Sequence, residues 1–422
     1  MGLNKALTYA LLGAITLLPW NATAVNRYGF GNLLSKPSLS GAAKLANSLV
    51  NTKFVANNIT ESLLVKSLLE ITQGKNQQAL ATIDELLLTT PNFKLANLVR
   101  GDLLMAQGQH LQAFGSADGN PTEAVKDLQA EARVRIERYL SNENSAKLPN
   151  LLLAPNAQQN HVIVIDTDKS RLYLYKNEGN RLTYVTDYYV TVGKNGVDKK
   201  SEGDKRTPIG VYFAKTKLTQ PLADFYGDGA YPLNYPNEWD VQHNRTGSGI
   251  WLHGTPSSTY SRAPRASDGC VVLTNADLKA LAPFLQSGKT PVIIANNLQW
   301  LATDTTSSEK ETLQEAIDSW LDDWKSQDTA SYLAHYSPDF SSNGINYQQW
   351  SEHKYQVQAS KPKVSISLSN LSMFAYPDTD KKLVVVDFVQ DFTSPTLSNK
   401  MQKRQYWIQE NDTWKIIYEG AA

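Results

Sequence analysis

His161-Val162-Ile163-Val164-Ile165-Asp166-Thr167-Asp168-Lys169-Ser170-Arg171-Leu172-Tyr173-Leu174-Tyr175 marks the place where the chain changes period. Two β-branched and aromatic runs stand on either side of a short Asp-Lys-Ser turn, the pattern of paired strands. A third run at 184–192 follows Asn177-Glu178-Gly179-Asn180, so the segment reads as an antiparallel meander. Further strands are predicted at 210–215, 249–253 and 291–295. One helix is predicted at 276–286, with Asn275 as its cap and Asp277 in its first turn. A mostly β domain therefore spans 158–298.

Upstream the spacing is helical. Leu64, Leu68 and Ile71 precede Gly74, and Ala79, Ile83 and Leu86-Leu87-Leu88 precede Pro91. The motif Gly74-Lys75-Asn76-Gln77-Gln78-Ala79 recurs as Gly108-Gln109-His110-Leu111-Gln112-Ala113, an offset of 34 residues. That offset is the tetratricopeptide period. Residues 61–150 are accordingly read as a helical, tetratricopeptide-like region. With about two copies it is too short to stand alone and is expected to dock on a neighbour. Residues 25–60, rich in Asn, Ser and Gly, read as a loose leader. The first 24 residues carry Lys5, an apolar stretch and Ala22-Thr23-Ala24, the pattern of a cleaved export signal, which places the mature protein in the periplasm.

Downstream, a Thr- and Ser-rich linker leads into an apolar helical stripe of Leu313, Ile317, Trp320, Leu321 and Trp324, followed by Tyr332, Tyr336 and Phe340. Strand-like runs at 364–368, 383–392, 405–409 and 413–418 close the chain. A helix followed by a curved antiparallel sheet at 309–420 resembles the cone-shaped nuclear-transport-factor-two-like or SnoaL-like domains, on Trp324, Tyr336, Phe340 and Trp414-Lys415-Ile416. The fold class is thus multidomain α+β: a helical N-terminal region, a mostly β middle domain and a C-terminal α+β cone.

Composition excludes several function classes. The 41 basic and 41 acidic side chains cancel, which leaves no electrostatic footprint for nucleic acid and no polybasic membrane surface. No later apolar run reaches the roughly 18 residues of a membrane span. Cys270 is the single cysteine and forms no internal disulfide, so outside the cytoplasm it is inert, paired between chains or used in chemistry.

Its setting favours chemistry. Cys270 lies in Ser267-Asp268-Gly269-Cys270-Val271-Val272-Leu273, downstream of Gly249-Ile250-Trp251-Leu252-His253-Gly254. An imidazole beside a thiol can take its proton, making Cys270 a nucleophile and His253 its base. Gly269 lets the backbone approach a carbonyl, and the Gly269 and Cys270 amides are candidate oxyanion donors. The Gly254 carbonyl is placed to fix the imidazole tautomer. Zinc held by Cys270, His253 and Asp268 would lack the further partners such a site needs, so no metal and no cofactor is expected.

Four separated motifs now make a family resemblance. Val192-Gly193-Lys194, Glu202-Gly203-Asp204-Lys205-Arg206-Thr207-Pro208-Ile209-Gly210-Val211-Tyr212, Trp251-Leu252-His253-Gly254-Thr255 and Ser267 to Asp277 together resemble the L,D-transpeptidase catalytic (YkuD-like) family. The resemblance implies a β-sandwich-like fold, peptidoglycan stem peptides as substrate, and a cysteine acyl-enzyme at Cys270 with His253 as base. It covers about a third of the chain. Two positions depart from the usual pattern: Asp268 stands where a second histidine is usual, and Val272 where an arginine is usual. Arg262 or Arg265 is expected to replace that arginine as a carboxylate clamp, with Ser267 and Asp268 beside the bound substrate.

The resemblance implies transpeptidation, giving a 3-3 cross-link or lipoprotein attachment. The added cone resembles the cell-shape-determining L,D-carboxypeptidases, which makes hydrolysis of tetrapeptide to tripeptide the alternative. A non-catalytic wall-binding scaffold is the second. Other cell-wall proteins are expected as partners of the helical or C-terminal domain.

Overall fold

The computed structural model describes residues 59–108, 114–115, 122–140, 147–179, 181–302, 308–360 and 363–422. The expected export signal at 1–24, nearly all of the leader, the second repeat motif at 109–113 and the linker at 303–307 lie outside them. No described helix is long and apolar enough to cross a membrane.

Helices α1 (Ile59–Thr72), α2 (Asn76–Thr89), α3 (Lys94–Met105) and α4 (Glu123–Leu140) form the N-terminal region. The first helix starts at Ile59, inside the stretch expected to be leader. Leu64, Leu68, Ile71, Ala79, Ile83 and Leu86 meet Leu95 and Val99 in one core, as their spacing predicts. Gly74, at φ 75°, makes the turn out of α1.

The middle of the chain supplies β1 (Lys147–Pro149), β2 (Leu152–Ala154), β3 (His161–Asp166), β4 (Arg171–Asn177), β5 (Leu182–Tyr189), β6 (Val192–Gly193) and β7 (Gly210–Phe213). It continues with β8 (Ala230–Pro232), α5 (Glu238–Gln242), β9 (Trp251–His253), β10 (Arg265–Ser267), β11 (Val271–Val272), α6 (Asn275–Leu281), β12 (Pro291–Ala295) and β13 (Trp300–Ala302). The expected meander is present in a five-stranded sheet of order β5-β4-β3-β12-β7. In it β12 runs parallel to β3 and antiparallel to β7.

The run Val162-Ile163-Val164-Ile165 is apolar at every position because this sheet is covered on both faces. Val162, Val164, Tyr173, Tyr175, Val211, Phe213 and Ile293 belong to the same core as the C-terminal domain. Their alternates Ile163, Ile165, Leu172, Leu174, Tyr212, Val292 and Ile294 pack under the remaining strands of the middle domain.

Two predicted details are corrected. Thr274, not Asn275, caps α6, its hydroxyl accepting from Asp277 N–H at 3.0 Å. The helix ends at Leu281 and passes into a 3-10 turn, Ala282–Phe284, because Pro283 has no N–H to extend the ladder.

The C-terminal part is α7 (Ser308–Ser326), α8 (Thr329–Ala334), β14 (Ser341–Ser342), β15 (Ile345–Asn346), α9 (Tyr347–Gln358), β16 (Ser365–Ala375), β17 (Leu383–Thr393), β18 (Ser398–Glu410) and β19 (Thr413–Ala421). Leu313, Ile317, Trp320 and Trp324 form the buried stripe of α7. Strand β18 begins well before the predicted 405, because its first half is polar and faces water. The sheet order β19-β18-β17-β16-β2 ends on β2, a strand from before the middle domain. That strand covers an edge otherwise open to pairing. Arg404 ties the two units together: buried on β18, it forks onto Asp387 at 2.7 and 3.0 Å and reaches Glu238 of α5 at 3.1 Å.

Candidate active site

Strand β9 is the centre of a three-stranded sheet, with β11 parallel on one side and β8 antiparallel on the other. The register pairs Val272 with His253 and Val271 with Leu252, so one step further Cys270 stands beside Trp251. Side chains two apart share a face, and parallel partners point the same way. Cys270 and His253 therefore project from the same face of this sheet, one repeat apart.

His253 is buried, and its Nδ1 lies 2.7 Å from the Gly254 carbonyl. The Nδ1–H tautomer donates there, which leaves the Nε2 lone pair as the acceptor. Tyr226 meets the ring edge-on at 5.1 Å and Phe225 lies 6.0 Å away. Burial holds the imidazole down to about 4; the Gly254 carbonyl opposes that shift and Arg262 adds to it. At neutral pH the ring is uncharged and able to take a proton.

The turn of Gly254 is braced from α6. Asn275 Oδ1 accepts from Thr255 N–H at 3.2 Å and Asp228 N–H at 3.0 Å, while its Nδ2 donates to Thr255 O at 2.9 Å. A Cβ on Gly254 would fall 2.0 Å from Asn275 Oδ1, so only glycine fits beneath that brace.

The half-buried Cys270 thiol donates to Gly249 O at 3.3 Å. Burial pushes it up to about 11; the Trp251 backbone, Arg262 and Lys199 pull it down, and Asp268 pushes it further up. Gly269 has φ 124°, and a Cβ there would meet Arg206 O at 2.8 Å. Buried Thr207 joins two motifs: its hydroxyl accepts from Gly193 N–H at 2.8 Å and donates to Gly269 O at 2.9 Å.

Ser267 does different work from that expected. Its buried hydroxyl accepts from Gly269 N–H at 3.1 Å and donates to Cys270 O at 2.6 Å, so its hydrogen bonds are made within the turn at Cys270. The same bond engages the Gly269 amide, which corrects its assignment as an oxyanion donor.

Arg262 and Arg265 diverge. The Arg262 guanidinium lies 4.2 Å from the centroid of the exposed Phe225 ring, next to His253, and its charge is felt by both Cys270 and Asp268. Arg265 turns to Asp168 at 3.9 Å, on the helical side of β10. Asp268 is exposed and pairs with Lys194 Nζ at 2.9 Å, and that hydrogen bond holds its carboxyl below the usual range. Among the described residues no group of three His, Cys, Asp or Glu side chains converges as metal ligands.

Thr207, Asn275 and Lys194 were not singled out from the sequence as site residues. All three sit inside the motifs that carry the family resemblance, the one signal that points at them. Asn275 resembled an ordinary helix cap.

The arrangement has known counterparts. Residues 160–294 match the L,D-transpeptidase catalytic domain (YkuD), and residues 312–420 match the Cds6 C-terminal NTF2-like domain. The structure is similar to that of Bd1075 from Bdellovibrio bacteriovorus, 30% identical, with a TM-score of 0.57 over 65% of this chain and 98% of that one. It is also similar to the helical cell shape determining protein Pgp2 from Campylobacter jejuni, 23% identical, with a TM-score of 0.56 over 66% of this chain and 96% of that one. No curated protein matches the chain.

Proposed function

Because this chain belongs to the L,D-transpeptidase catalytic family and carries the Cds6-type C-terminal domain, we propose that it is a periplasmic cysteine acyltransferase of the cell wall. Its substrate is the tetrapeptide stem of peptidoglycan, cut between the third, L-centred residue and the terminal D-alanine. The single observation that carries this reading is the face shared by Cys270 and His253, with Nδ1 of the imidazole held on Gly254 O and Nε2 free.

The electrostatics select a mechanism. Burial raises the Cys270 thiol and lowers the His253 imidazole, so both shifts oppose a resting thiolate–imidazolium pair. The pair therefore rests neutral, and the proton moves as the bond forms. Cys270 Sγ attacks the carbonyl carbon while His253 Nε2 takes the thiol proton, and the Cys270 N–H faces the developing oxyanion. The C–N bond then breaks as the imidazolium returns that proton to the D-alanine amine, leaving a thioester. Arg262 holds the D-alanine carboxylate.

Water is the acceptor we favour: His253 Nε2 takes a proton from water as its oxygen adds to the thioester carbon, the C–S bond breaks as the imidazolium returns that proton to the Cys270 sulfur, and the tripeptide acid leaves, losing its own proton to solvent. The supporting observation is the architecture shared over nearly the whole of Bd1075 and Pgp2, the latter a cell shape determinant by name. Trimming stems in this way would tune cell shape. A second stem's amine in place of water gives the 3-3 cross-link. Incubation of purified protein with disaccharide tetrapeptide in H218O separates the two. Labelled tripeptide supports hydrolysis; a cross-linked dimer of the same stems overturns it in favour of transpeptidation.

A further inference from the structure

The loop 256–262 leaves the His253 turn and ends on Arg262, and the N-terminal helices hold it. Ser261 Oγ donates to Glu131 Oε1 of α4 at 2.6 Å, and both side chains are buried. The same carboxylate accepts from Arg135 at 2.9 and 3.0 Å. Arg135, 1% exposed, lies over the ring of Tyr189 at 3.9 Å and pairs with Glu61. Glu61 in turn accepts from Arg171 of β4 at 2.8 Å. Tyr189 closes the circuit, its hydroxyl donating to the Arg262 carbonyl at 2.7 Å. Further along the loop, Asn92 Nδ2 donates to Ser257 O at 3.0 Å and Phe93 packs on Tyr260 at 4.6 Å.

Ion pairs this deeply buried are poor adhesives, because desolvation consumes most of the attraction, yet they tolerate little displacement. Glu61 pairs with both Arg135 and Arg171, Asp187 also faces Arg171, and burial raises the Glu131 carboxyl to about 8 against the Ser261 hydrogen bond, so no group in the set can leave without stranding a buried polar partner. Three groups anchor the Arg262 backbone, Ser261 before it and the Tyr189 and Thr191 hydroxyls on its carbonyl, and the first two meet this set. We propose that Glu131 and Arg135 of the helical region are positioning residues for the active site, acting through Ser261 and Tyr189 to hold Arg262 beside the thiol. The helical region is then a wall of the catalytic centre and not a tethered scaffold. This rests on the role given to Arg262 and Cys270 above.

The test reads Arg262 through the thiol, without substrate. The charged or titratable groups whose fields reach Cys270 are Arg262, Lys199 and Asp268, with His253 on the same face. Iodoacetamide alkylation of Cys270 in the full chain is followed from pH 7 to 11. Ser261→Ala is expected to shift the profile to higher pH, as Arg262→Ala does, and to slow alkylation at pH 8 about threefold. The Ser261→Ala/Arg262→Ala double variant shifts no further than Arg262→Ala alone. Glu131→Gln keeps an acceptor for Ser261 and shifts the profile less than Glu131→Ala. With tetrapeptide, Ser261→Ala raises KM more than it lowers kcat. A Ser261→Ala profile that superposes on the parent, or a double variant whose shift is the sum of the two, overturns the proposal. Protein inert on tetrapeptide but shifted in alkylation refutes the function and leaves the positioning intact.

Discussion

Thr207→Val removes one hydroxyl and nearly nothing else, and the consequence should appear at the nucleophile. Thr207 is fully buried and is the shared partner of the Gly193 amide and the Gly269 carbonyl. Each group left unsatisfied costs about 1–3 kcal/mol, so the two together cost about 2–6 kcal/mol if nothing moves. Water cannot take the place of the hydroxyl easily. A Cβ on Gly193 would already lie 2.5 Å from Lys205 O, which shows how closely that loop is packed. The strain is relieved by turning the Gly269 carbonyl, which moves Cys270. A displacement of about 1 Å at a reacting atom costs on the order of a hundredfold in rate. Stopped-flow acylation with tetrapeptide is therefore expected to slow about a hundredfold in Thr207→Val, with Thr207→Ser within a few-fold of the parent. A Thr207→Val protein within threefold of the parent, with an unchanged denaturation midpoint, refutes this account of the turn.

Other consequences follow from the same structure. Since burial holds His253 near 4, the acid limb of kcat/KM should fall near pH 4 and not near 6.5, as a pH–rate profile would show. The folded imidazole binds its proton less readily than the unfolded one. Its contribution is fully present above pH 6.5 and up to about 3 kcal/mol is lost as pH falls towards 4, measurable by urea denaturation across that window. Lys194→Ala strips Asp268 of its hydrogen-bonded partner, leaving an anion near the thiol opposed only by the more distant Lys205 and Arg262. Alkylation should slow a few-fold while the melting temperature, being set elsewhere, stays put. Arg404→Ala leaves Asp387 buried and unpaired at the seam between the catalytic and C-terminal domains, at a cost of about 3–5 kcal/mol. Calorimetry should then resolve two transitions where the parent gives one, and a single unchanged transition would count against the shared core.

Local patterns were legible in the sequence and long-range ones were not. The meander, the α7 stripe and the Cys270–His253 pair rest on periodicity or on short motifs, which report the immediate chain. The run Val162-Ile163-Val164-Ile165 is apolar at every position, which means two covered faces, here the catalytic half-core and the C-terminal domain. Asn275 has a side chain suited to capping, yet its neighbour Thr274 took that role and freed it to brace Thr255. Arg262 and Arg265 stand three apart in sequence, yet Arg262 lies against Phe225 and Arg265 reaches Asp168, partners that only the folded chain supplies. Glu131 looked like one more helical carboxylate; its contact with Ser261 spans 130 residues and exists only in the folded chain.

The central claim is acyl transfer through one sulfur atom. Liquid chromatography and mass spectrometry of disaccharide tetrapeptide incubated with the purified protein and with Cys270→Ala tests it most directly. The account predicts loss of the terminal D-alanine with the parent and intact tetrapeptide with Cys270→Ala. Intact tetrapeptide with both proteins, or equal consumption by both, would contradict it.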